Sequence, residues 1–66
     1  MKVVLNGEEA DVANGTTVEN LVEHLGLAAR RIAVELNRDV LERARWSDTA
    51  VKESDSIEIV QFVGGG

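Results

Sequence analysis

Apolar and polar residues alternate from the first residue of the chain. Met1, Val3 and Leu5 fall on one parity, and Lys2, Val4 and Asn6 on the other. A period of two predicts a β-strand with one buried face. Asn6-Gly7 follows, a pair that accepts the positive φ angles of a tight type I′ turn. Beyond it Ala10 and Val12 point inward while Glu9 and Asp11 turn to water. Residues 1–12 therefore read as a β-hairpin.

The period changes after Gly15. Val18, Leu21, Val22 and Leu25 stand at i, i+3, i+4 and i+7, the apolar stripe of an α-helix. Thr16, with Glu19 three residues on, predicts a capping box at its start. Gly26 is placed to close the last turn in the left-handed conformation, with Leu27 packing back onto the helix. Alternation returns at Ile32, Val34 and Leu36. A turn at Asn37-Arg38-Asp39 and a short return strand at Val40-Leu41 follow. Residues 43–55 show no clean period and predict loops with a short helical turn. Ser56 to Val63 then has the composition of a strand. The predicted order is β-β-α-β-β-β, an α+β fold with one main helix.

One helix covers only one face of a sheet. If Ile57 and Ile59 face it, Val60 and Phe62 face away, and with Val4 they form an apolar patch on the open side. Such a patch is either a partner surface or a seat for terminal loops.

Size and charge narrow the possibilities. With 66 residues the chain makes one small domain, burying roughly 60% of its unfolded surface. The absence of cysteine excludes disulfides, Cys-based zinc sites and side-chain thiol chemistry. Its apolar runs are too short for a membrane span or a signal-peptide core, so a cytoplasmic protein without membrane contact is expected. A net charge of −5, with two rings from Phe and Trp, argues against nucleic acid. It suits a basic protein surface instead.

The chemistry-bearing side chains are sparse. His24 lies off the helix stripe and reads as a solvated residue. Glu8, Glu9, Glu19 and Glu23 read as a solvated acidic face, so no metal site is expected. Trp46 reads as a residue covering one end of the sheet, with an interface role as the alternative. Arg30, Arg31, Arg38, Arg43 and Arg45 read as surface groups. What remains is the stretch IVQFVGGG, which brings a strand into Gly64, Gly65 and Gly66 and offers a main-chain carboxylate on a slender tether.

"LNG" after the first strand, "TVENLVEHLGL" in the helix, "RIAVELNRDVLERARW" in the middle and "DSIEIVQFVGGG" at the end resemble the ThiS family, the sulfur carriers of thiamine biosynthesis. That resemblance implies a ubiquitin-like β-grasp, a mixed four- to five-stranded sheet on one main helix. Residues 1–63 would form the domain and residues 64–66 a flexible tail. It further implies a protein that is not an enzyme. The Gly66 carboxylate would be adenylated by an ATP-using, ThiF-like partner, so ATP is consumed there and no cofactor is bound. A persulfide donor would turn it into a thiocarboxylate, and a ThiG-like thiazole synthase would accept the sulfur. Gly64 and Gly65 would tether the terminus, and Val4, Val60, Phe62 and Val63 would dock the partners. The small subunit of molybdopterin synthase and ubiquitin-like modifiers or binding modules share the fold and tail and stand as alternatives. Two stretches depart from the family pattern: Glu42 stands where proline is common, and Glu53-Ser54-Asp55 where Asp-Gly-Asp is usual.

Overall fold

The computed structural model describes residues 1–62; Val63, Gly64, Gly65 and Gly66 lie outside the described residues. Five strands form one sheet: β1 (Lys2–Leu5), β2 (Glu8–Asp11), β3 (Ile32–Leu36), β4 (Asp39–Leu41) and β5 (Ser56–Gln61). The helix α1 spans Val18–His24, and 3-10 turns occupy Ala29–Arg31 and Arg43–Asp48. The sheet order is β2-β1-β5-β3-β4, so the last strand is the central one. It runs parallel to β1 and antiparallel to β3, and the sheet is mixed.

Local chemistry accounts for the hairpins. Asn6 (φ 51°) and Gly7 (φ 83°) both take positive φ, as a type I′ turn demands. The second hairpin is made the same way by Asn37 (φ 52°) and Arg38 (φ 74°). Asp39, expected in that turn, is already in β4 and pairs with Leu36.

Seven residues are too few to hold a helix by propensity alone, so α1 depends on packing and caps. Its N-cap is Thr17 rather than Thr16, and its capping box is closed by Asn20 rather than Glu19. The Thr16 hydroxyl is already committed, donating to the Ala13 carbonyl at 2.7 Å. Its own carbonyl accepts from Val51 N–H at 2.8 Å. The C-terminus follows expectation: Gly26 (φ 71°) donates to the Glu23 carbonyl and Leu27 to that of Val22, the two bonds of a Schellman motif. Leu25 is a correction. It is the C-cap, beyond the last helical turn, and is 43% exposed rather than part of the stripe.

Val3, Val18, Val34 and Ile57 are fully buried at the centre of the core, joined by Leu21, Val22, Ile32 and Ile59. Burial of each side chain contributes about 1.5–3 kcal/mol. Trp46 and Val51 complete this cluster from the segment without a period. Trp46 is 3% exposed and its indole N–H donates to the Leu41 carbonyl at 2.9 Å, so it is a core residue and not an anchor at an interface.

Candidate docking face and the end of the central strand

Alternation along β5 separates two surfaces. Ile57 and Ile59 enter the core beneath α1, while Glu58, Val60 and Phe62 stand on the side that no helix covers. Val60 is 53% and Phe62 58% exposed, so no described loop seats over them. Val4, on the same face of β1, is half-buried beside Glu9 of β2. Val63, the fourth expected docking residue, lies outside the described residues, as do the tail glycines.

The same alternation directs the main chain. On the β3 side, Asn37 N–H donates to the Ser56 carbonyl and Phe62 N–H to that of Arg31, both at 2.7 Å. On the β1 side, Asn6 N–H donates to the Ile57 carbonyl at 2.9 Å, and Ile59 N–H donates to Asn6 Oδ1 at 2.8 Å. β5 is thus held on both flanks through Ile59. The strand expected to run to Val63 has its last described ladder residue at Gln61; Phe62 still donates its N–H to Arg31, in the 3-10 turn before β3, and Val63 lies outside the described residues.

Sequence reasoning missed one member of the open face. Val40 of β4 is 72% exposed and sits opposite Glu35, whose other neighbour across the sheet is Glu58. The available signal was parity: Val40 precedes Leu41, which packs against the core. Ala33 pairs with Val60, completing an apolar end to the face next to Phe62.

The remaining candidates stay apart. His24, Glu8, Glu9, Glu19 and Glu23 are all exposed, and no group of three His, Cys, Asp or Glu side chains converges among the described residues. No helix among them is long and apolar enough to cross a membrane. Among the described residues the geometry offers a surface and a strand end, with no assembled nucleophile and base.

The model of the ThiS family matches residues 3–66, from the first strand through the three glycines. The chain belongs to the ThiS family. A crystal structure of the thiamine biosynthesis protein ThiS from Geobacter metallireducens is similar over the whole of both chains, with a TM-score of 0.86 and 39% identity. The ubiquitin-like β-grasp expected from the sequence is therefore the observed fold. The sulfur carrier protein ThiS of Bacillus subtilis is 33% identical over 63 residues, 94% of this chain and 96% of that one. A thiazole synthase of Paramagnetospirillum magneticum is 42% identical over all 66 residues, and this chain spans 20% of its length. In that relative a ThiS-like region and a thiazole synthase share one polypeptide.

Proposed function

We propose that this ThiS-family chain carries sulfur for the thiazole moiety of thiamine, as a thiocarboxylate at Gly66. The observation that carries the reading is the family match, which runs from Val3 in the first strand through Gly66. β5 supports it, because the central strand of the sheet leads the chain toward these glycines from beside an exposed Phe62.

A carboxylate is a poor electrophile, and activation must come first. In the proposed cycle an adenylating enzyme uses ATP to convert the Gly66 carboxylate to an acyl-adenylate, releasing pyrophosphate. A persulfide sulfur then displaces AMP, and a thiol reduces the S–S link to leave the thiocarboxylate. A thiazole synthase takes the sulfur and returns the carboxylate. Gly64, Gly65 and Gly66 have no side chain to clash in the enclosed active sites of such partners. The chain itself supplies a docked carboxyl group and no general acid, base or nucleophile. This reading makes it a cytoplasmic co-substrate rather than an enzyme.

Intact-protein mass after incubation with ATP, the adenylating partner and a sulfur source tests the proposal. A gain equal to one oxygen replaced by sulfur, mapped to Gly66, is expected. Deletion of Gly66 should abolish it while the far-UV spectrum stays unchanged. Full sulfur loading of the truncated chain would sink the reading.

A further inference from the structure

Glu35 and Glu58 stand directly opposite each other on β3 and β5. The bonds at Asn37/Ser56 and Phe62/Arg31 set the alternation of this ladder. They make Glu35/Glu58 a pair that exchanges both main-chain bonds, with Cα atoms about 5.5 Å apart. Two carboxylates so placed repel, and a directly opposed like-charge pair destabilises a sheet. Neither has an ion-pair partner among the described residues, where Lys2 and Glu9 make the single pair, at 4.0 Å.

The surroundings identify what relieves it. Val40 flanks Glu35 on β4, and Val60 with Phe62 extends from Glu58 toward the tail; all three are more than half exposed. An anionic centre between apolar shoulders matches a cation set in an apolar protein surface. One guanidinium has donors on two edges of a plane and serves two carboxylates at once, which an ammonium does less well. A net charge of −5 favours approach to such a basic patch. A thiazole synthase is the partner to expect, because in a relative a region like this one shares a polypeptide with that enzyme.

We propose that the open sheet face docks onto a thiazole synthase, with one arginine of that enzyme entering between Glu35 and Glu58 while Val60 and Phe62 seat on apolar surface beside it. This deepens the carrier reading and rests on it. An arginine placed between them pairs both carboxylates at once and offsets their like charge.

The test is the affinity of the full chain for the thiazole synthase of the same organism, measured by calorimetry at low and high salt. The variants are Glu35→Gln, Glu58→Gln and both together, with Glu23→Gln on the exposed side of α1 as control. Each single substitution should raise Kd about tenfold. The double variant should add little, since one arginine serves both carboxylates, and most of the salt dependence should go with it. Melting midpoints of the free variants should equal or exceed that of the parent, which separates lost docking from lost folding. A Kd within about twofold of the parent for both single variants, or a loss no larger than that of Glu23→Gln, overturns the proposal. Sulfur loading, read by mass, tests the carrier chemistry separately. A chain that loads sulfur and binds equally well with Gln at 35 and 58 sinks the docking proposal alone.

Discussion

The side chain of Asn6 accepts the main-chain N–H of Ile59 at 2.8 Å, across 53 residues of chain. β1 has ended and the hairpin has begun to turn away, so an amide oxygen takes the place of the next carbonyl along the strand. Asn37 does the same from the other flank, where its Oδ1 accepts the N–H of Ser56 at 2.9 Å. Both asparagines sit at positive φ in two-residue turns. Each is therefore selected twice, once for its backbone conformation and once for an acceptor that holds the central strand.

Replacing Asn6 by glycine keeps the turn and removes the acceptor. Ile59 N–H is then left without its partner at the edge of the core, and a loss of about 1–2 kcal/mol is expected from urea midpoints. Asn6→Asp retains an acceptor oxygen and should lose less. Hydrogen exchange at the Ile59 amide should quicken in the glycine variant; unchanged protection would show that water substitutes for the side chain.

Among the described residues, Ser54 carries the one positive φ outside glycine and the asparagine-led turns, at 70°. It is the third residue of a turn closed by Asp55 N–H to the Lys52 carbonyl at 3.0 Å. Left-handed backbone strains a residue with a Cβ. Ser54→Gly should stabilise the fold by about 0.5–1 kcal/mol, since relief of strain outweighs the added freedom of the unfolded chain. A lower melting midpoint would contradict this account of the departure from Asp-Gly-Asp.

Glu42 has φ −62° and ψ 142°, angles that proline adopts without strain. In the two-residue hairpin Leu36/Asp39 and Val34/Leu41 exchange main-chain bonds, which turns the Glu42 N–H away from β3. Leu41 before it is already extended, as the residue preceding a proline must be. Glu42→Pro should raise stability by about 0.4–1 kcal/mol through the unfolded state. Destabilisation in a chemical-denaturation series would show that this N–H is used.

Trp46 combines burial with a hydrogen bond to the Leu41 carbonyl. Trp46→Phe should cost about 1–2 kcal/mol for the lost donor and the gap left by the smaller ring. Trp46→Ala should cost about 3–5 kcal/mol and leave little folded protein. Circular dichroism serves as the readout, because the substitution removes the chain's single indole. A near-neutral alanine variant would place Trp46 outside the cooperative core.

Phe62→Asp tests the exposed shoulder of the proposed docking face. The ring is 58% exposed, so folding stability should change by less than about 0.5 kcal/mol. Affinity for the thiazole synthase should fall tenfold or more, by about 1.4 kcal/mol or above. Equal affinity for that enzyme would remove Phe62 from the interface.

Local rules determined much of this protein from sequence. Period two located the strands, Asn6-Gly7 the first turn, and Gly26 with Leu27 the helix end, because each depends on steric and hydrogen-bond preferences within a few residues. The glycine tail and the motifs around it carried the family resemblance.

Tertiary structure decided what local rules cannot rank. Thr16 and Thr17 offer the same hydroxyl to a helix start. The bridge of Thr17 to Ala50, with the bond from Val51, puts the cap one residue later. Trp46 and Val51 follow no period, yet enter the core because that segment packs against the helix and the sheet from one side. The facing of Glu35 and Glu58 has no signature in either strand alone. It arises from register between strands more than twenty residues apart. Register is set by which side chains the whole core must bury, so which residues share the open face is a property of the assembled sheet.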